Sequence, residues 1–171
     1  VVTTTGFALG DYTTWGSFAV LLFFYLTFIG GCSGSTSGGL KIFRFQVAYV
    51  LLKANLMQLV HPRAVIKQQY NNHNLDEDIV RSLITFSFFF TITIGVLALA
   101  LTLVGLDWVT ALTGAATAVC NVGPGLGPII GPVGNFASLP DSAKWLLTIG
   151  MLLGRLEILT VLVLFLSLIH I

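Results

Sequence analysis

The sequence predicts an all-α membrane protein made of helix–re-entrant loop–helix repeats. Three observations predict it. The 171 residues are 56% hydrophobic and 9% charged, where soluble domains carry about 25% charged residues. Apolar stretches of spanning length recur, the clearest being residues 82–106, which hold no charge. Two stretches that cannot be helical, residues 30–39 and 121–128, sit beside them. Lipid cannot hydrogen-bond freed N–H and C=O groups, so irregular backbone at depth survives only against protein or a water-filled cavity. The strongest case is Gly30-Gly31-Cys32-Ser33-Gly34-Ser35-Thr36-Ser37-Gly38-Gly39, five glycines, three serines, a threonine and a cysteine. These residue types form helix poorly, so the stretch implies an aqueous pathway.

The net charge of +1 comes with no basic run, which gives no footprint for nucleic acid. Cys32 and Cys120 make neither a metal spacing nor a disulfide framework. The start, Val1-Val2-Thr3, carries no Met and no signal-peptide pattern, so the chain is expected to be part of something longer. No stretch reads as a soluble domain.

In order, residues 1–15 read as a loop and 16–29 as the first half of a span, shorter than the about 20 residues a full crossing needs. Residues 40–60 are helical in pattern but carry Lys41, Arg44 and Lys53, and leave the membrane. Residues 61–78 form a solvated loop that ends at a helix start, where Asp76, Glu77 and Asp78 suit an N-terminus. Residues 82–106 are a full span, closed by the interfacial Asp107-Trp108. Residues 109–119 are too short to cross and read as a re-entrant half-helix. Residues 121–128, with Pro124 and Pro128, cannot be helix. Residues 131–140 stay loop, and 142–169 form a long final span interrupted in character only by Arg155 and Glu157.

Six of the eight basic residues, Lys41, Arg44, Lys53, Arg63, Lys67 and Arg81, lie between the glycine stretch and the second span. The positive-inside rule makes that region cytoplasmic and puts the loops at Gly6 and Gly123 outside. A repeat follows. Threonine-rich loop, Gly6, polar tip, Trp15 and apolar span form one unit; threonine-bearing half-helix, Gly123, long tip, Trp145 and apolar span form the second. The expected division is a partial repeat over residues 1–60, a cytoplasmic loop over 61–80 and a complete repeat over 81–171. This is the architecture of a pore-loop channel.

Thr3-Thr4-Thr5-Gly6-Phe7 is a candidate ion filter. A filter needs backbone carbonyls aimed at an axis in place of an ion's hydration shell, and a glycine free to adopt positive φ. Alone the pentapeptide is a weak signal, since Thr-Thr-Gly also makes ordinary turns. Asn121-Val122-Gly123, following a re-entrant half-helix between two spans, strengthens it. Thr4, Thr5, Gly6, Asn121, Val122 and Gly123 are the candidate ion-binding residues, with K⁺ as the ion. Arg155 is about 20 Å into the last span at 1.5 Å per residue, where a charge is costly. It reads as pore-facing, against a structural pair with another helix. Gly30 falls about 22 Å below Trp15 and Arg155 about 15 Å below Trp145, before its own reach. The arginine is therefore expected to hold the unwound stretch, with Gly30, Gly31, Ser33, Gly34, Ser35, Gly38 and Gly39 as gate residues. Glu157 stands open between structural partner and vestibule. His61, His73 and His170 share no helical spacing and read as loop and terminus rather than metal ligands. The Phe86–Phe90 run reads as lipid- or helix-facing bulk.

Five motifs occur in order: Thr-Thr-Thr-Gly-Phe, Gly-Gly-Cys-Ser-Gly-Ser-Thr-Ser-Gly-Gly-Leu-Lys, His61-Pro62-Arg63-Ala64-Val65, Asn-Val-Gly-Pro-Gly-Leu-Gly and Met151-Leu152-Leu153-Gly154-Arg155-Leu156-Glu157. With them nearly the whole chain resembles the C-terminal part of the TrkH family, the membrane subunits of bacterial Trk potassium uptake, within the Trk/Ktr/HKT superfamily. The resemblance implies one pore built from four unlike repeats, of which this chain holds most of the third and all of the fourth. It makes Gly6 and Gly123 filter glycines and the glycine stretch an intramembrane gating loop. It further implies a multi-pass protein of the bacterial inner membrane, a homodimer, and a cytosolic nucleotide-binding regulator of the TrkA kind. The ending Ser167-Leu168-Ile169-His170-Ile171 departs from the family's pattern.

Rival readings come from other classes. Gly31-Cys32-Ser33-Gly34 fits the Gly-x-Ser-Gly of rhomboid-type intramembrane serine proteases, but such a nucleophile needs a base within hydrogen-bond reach, and no histidine lies at depth in any span. A phosphate-binding loop misses its spacing by one residue and lacks a preceding strand. A secondary transporter with broken helices shares the loop physics; a pore, unlike an alternating carrier, does not saturate at high gradients.

Overall fold

The computed structural model describes residues 1–7, 10–32, 34–62, 69–70, 73–156, 163 and 167. Five helices follow in order: α1 (Ser17–Ile29), α2 (Ile42–Val60), α3 (Glu77–Leu103), α4 (Trp108–Cys120) and α5 (Asp141–Arg155). Among the described residues, α3 is the one helix long and apolar enough to cross a membrane. Only 28% of its most apolar window is buried, which separates it from the core helix of a soluble protein. At 1.5 Å per residue α3 measures about 40 Å, and α1 and α4 about 20 Å each, half a crossing.

Each half-helix has a local cause for its ends. The Asp107 carboxylate accepts from the Val109 N–H at 3.2 Å and caps α4. Asn121 closes it in a left-handed conformation, φ 55 and ψ 41, a geometry asparagine tolerates. α1 stops at Gly30, φ 66, and α2 starts after Lys41, also at positive φ.

α4 is the centre of the packing, enclosed by α3, α5 and α1. Ten of its thirteen residues are buried. Its small side chains allow close approach, the usual basis of helix association in lipid. A Cβ on Gly154 would overlap the Val119 carbonyl, and one on Gly150 would meet Leu97 and the Ala118 methyl. The core also takes Phe86, Phe90, Ile94, Leu97 and Leu101 from one face of α3. Arg44 of α2 lies over the Phe86 ring, 3.8 Å from its centroid, an arrangement favoured by the ring's quadrupole.

The structure corrects two sequence expectations. The opening loop contains a short 3-10 helix, Tyr12–Trp15, because Asp11 accepts from Thr13 N at 2.9 Å and tightens the turn. The loop over 61–78 holds a two-residue antiparallel hairpin, β1 (Gln69–Tyr70) with β2 (His73–Asn74). It docks on α2 through Tyr70, whose hydroxyl donates to Gln46 Oε1 at 2.6 Å and whose ring meets Phe43. α3 begins at Glu77, at the helix start expected from Asp76, Glu77 and Asp78, the last two lying in its first turn where acidic side chains favour helix. α5 is described over Asp141–Arg155, and most of the rest of the final span expected over 142–169 lies outside the described residues.

Candidate functional site

Three non-helical segments meet above and beside α4: the threonine loop of residues 1–7, the loop after α4, and the glycine loop between α1 and α2. The first loop turns through a Thr4 N–H to Val1 carbonyl bond of 2.9 Å, with Thr4 at φ 52 and Gly6 at φ 78. A Cβ on Gly6 would overlap the Val122 carbonyl oxygen, and a Cβ on Gly123 would sit 3.7 Å from the Gly6 Cα. The two glycines expected to share a site are therefore backbone neighbours.

The loop after α4 can be accounted for donor by donor. The Asn121 N–H donates to Ala118 O and the Val122 N–H to Thr117 O, each at 3.0 Å. The Gly123 N–H donates to the Thr117 hydroxyl at 3.0 Å. Pro124 has none. The Gly125 N–H donates to Ile130 O at 2.7 Å, and the Leu126 N–H to the Thr113 hydroxyl at 3.1 Å. Every backbone donor from Asn121 to Leu126 thus points back into protein, and no described donor meets the carbonyls of Asn121, Val122 or Gly123. A buried carbonyl without a partner costs about 1–3 kcal/mol, so this row of acceptors is suited to a cation. The Asn121 side chain is not part of the row; its Nδ2 donates to Met151 O on α5 at 3.1 Å.

The glycine loop is pinched at its neck. Leu40 N–H donates to Phe28 O at 3.0 Å and Ile42 N–H to Gly31 O at 3.1 Å. Inside, Gly31 N–H donates to Ser37 Oγ at 2.9 Å, and Ser35 Oγ lies 2.6 Å from Ser37 Oγ. Gly30 and Gly39 hold φ of 66 and 78, and Gly38 packs so tightly on the Cys120 carbonyl that a Cβ would overlap it. The Gly38 N–H donates to Thr4 Oγ1 at 3.3 Å. Arg155 Nη1 donates to the Thr36 carbonyl.

Of the expected residues, Gly6 meets Val122 and Gly123, Thr4 meets Gly38 of the glycine loop, and that loop meets Arg155. Gly34 is exposed at the loop's tip. Ser33, Glu157 and His170 lie outside the described residues. The rhomboid-type reading finds no support, since His61 is exposed beyond the end of α2 and the described serines bond within the loop. Among the described residues no cluster of His, Cys, Asp and Glu could hold a metal. Sequence reasoning missed Thr113 and Thr117, whose spacing of four on a half-helix was a usable signal, and the Gly150–Gly154 pair, a small-xxx-small pattern.

Known proteins resemble this chain in sequence and in fold. The chain matches the family described as TrkH, a cation transport protein, over residues 1–170. It is 66% identical over 164 residues to the Trk system potassium uptake protein TrkI of Halomonas elongata, covering 96% of this chain and 33% of that protein. It is 38% identical over 165 residues to the Trk system potassium uptake protein TrkH of Escherichia coli, covering 96% and 34%. The crystal structure of the potassium transporter TrkH from Vibrio parahaemolyticus superposes with a TM-score of 0.87 at 36% identity, covering 95% of this chain and 34% of that one. The chain spans about a third of the length of the curated relatives it matches.

Proposed function

We propose, for a chain that belongs to the TrkH family of cation transport proteins, that it supplies two filter loops and a gate to a potassium uptake protein of the bacterial inner membrane. Residues 1–60 act as a partial pore repeat, 61–80 as a cytoplasmic loop and 81–171 as a complete repeat. Carbonyls of Thr4, Thr5, Gly6, Asn121, Val122 and Gly123 replace water around K⁺, which is cargo rather than cofactor. The observation that carries this reading is the meeting of Gly6 and Gly123, with the donors of the second loop turned away.

The glycine loop closes the path below the filter, and Arg155 both ties it there and repels cations. The bond from Arg155 to Thr36 O supports this; a guanidinium has five donors and no acceptor, which suits it to unpaired carbonyls. The relatives' names speak of potassium uptake and of a Trk system, which supports transport over enzymatic chemistry and supports partner subunits. A homodimer, surrounding lipid and a cytosolic nucleotide-binding regulator of the TrkA kind belong to the same reading.

The test is made in the complete transporter, of the length its relatives have. Gly6→Ser and Gly123→Ser each place a side chain at positive φ and should weaken K⁺ over Na⁺ preference. Growth of a potassium-uptake-deficient strain on limiting K⁺, with and without Na⁺, reads the change. Unchanged growth and ion preference in both variants would remove these glycines from a filter.

A further inference from the structure

We infer that Thr117 and Thr113 of α4 are positioning residues that set ion preference by fixing the peptide planes of the loop after α4. The inference rests on the filter reading above and adds residues that line no ion path. Both side chains are buried, at 1% and 6% exposure, and they lie on one helix face four residues apart.

A trans peptide is planar, so its N–H and its C=O point in opposite directions. The Gly123 N–H and the Val122 C=O are two ends of one such unit. The Thr117 hydroxyl accepts that N–H at 3.0 Å and thereby aims the Val122 oxygen the other way, toward Gly6. One turn earlier the Thr113 hydroxyl accepts the Leu126 N–H at 3.1 Å and so orients the Gly125 C=O. Thr113 gives its own proton to Val109 O at 2.7 Å, which fixes the rotor and leaves its lone pairs for the loop. The remaining donors, on Asn121, Val122 and Gly125, go to backbone carbonyls that no substitution can delete. The two hydroxyls are therefore the side-chain-controlled anchors of this backbone. Gly123 makes them necessary, because a glycine on the hinge of the plane resists rotation least. With the hydroxyl gone, the 122–123 plane turns, and an N–H replaces a carbonyl on the cation's side.

The experiment uses the complete transporter in liposomes and reads the K⁺ over Na⁺ flux ratio, with KM and maximal K⁺ flux measured separately. Thr117→Val keeps the shape and removes the acceptor. It should lower the ratio by about tenfold, the scale of one lost N–H bond, and raise the KM for K⁺ more than it changes maximal flux. Thr117→Ser, which keeps the hydroxyl, should restore the ratio. Thr113→Val should act in the same direction through Leu126. An unchanged ratio in T117V at normal abundance overturns the inference. So does a T117S defect equal to that of T117V, which would assign the effect to packing. Should T117V fail to accumulate, Thr117→Ala and T113V read the same ratio. Gly123→Ser run in parallel separates the two claims: if it changes the ratio and the threonine variants do not, the filter reading stands and the anchor fails. If none changes it, the filter reading itself falls.

Discussion

The Gly38 amide donates to the Thr4 hydroxyl across 3.3 Å, joining the glycine loop to the first threonine loop from 34 residues away. The same glycine rests on the Cys120 carbonyl at the end of α4. One residue of the proposed gate therefore touches both proposed filter segments.

Gly38→Ala should unseat the loop. Its Cβ would overlap backbone at Cys120, where no rotamer change gives relief. The expected outcome is a rise in K⁺ flux in vesicles carrying the complete transporter, with Gly34→Ala, whose Cβ meets nothing within 4 Å, as the matched control. Equal flux in the two variants would contradict a gate role for Gly38.

Arg155→Ala removes both the bond to Thr36 O and the positive charge, so K⁺ flux should rise. Arg155→Lys keeps the charge but loses the planar fork, and should fall between wild type and R155A. Lower or unchanged flux in R155A, with normal protein level, would assign the arginine a structural role.

Orientation is tested by thiol labelling on a Cys32→Ser background, because native Cys32 is exposed. Cysteine at the exposed Gln58 should react with impermeant reagents only from the cytoplasmic side, and cysteine at the exposed Ser138 only from outside. The reverse pattern would overturn the topology.

Gly154→Ala should destabilise more than Gly150→Ala. At 154 the added methyl strikes the Val119 backbone, while at 150 it meets a Leu97 methyl that can rotate away. Overpacking of this kind costs about 1–3 kcal/mol, readable as a lower thermal midpoint in detergent. Equal midpoints would mean that α5 shifts freely on α4.

Tyr12 predicts an alkaline sensitivity outside the membrane. Burial first, and the Asp11 carboxylate second, hold its phenol above the ordinary value of 10.0. The folded protein then keeps a proton that the unfolded chain loses, so this contribution is full below about pH 10 and is lost as pH rises through the raised value. Tyr12→Phe should remove that loss from an unfolding-versus-pH profile; an unchanged profile would show that another group titrates there.

Helix types were legible where composition left one solution. The half-helix expected over residues 109–119 is found at Trp108–Cys120, because apolar length bounded by Asp107 and Asn121 admits little else. The meeting of Arg155 with the glycine loop followed from counting rise per residue down two spans, each headed by a tryptophan. The β hairpin was not legible, since two-residue strands carry no periodicity. Nor were the threonine anchors. A buried helical threonine commonly bonds its own helix four residues back, as Thr113 does to Val109, and its second role depends on where a loop returns.

The burial of α4 makes it depend on its neighbours. A helix of thirteen residues carrying buried Thr110, Thr113 and Thr117 is too short to cross a bilayer by itself. Its burial is complete only with α3, α5 and α1 around it, Gly150 and Gly154 of α5 leaving room for its backbone.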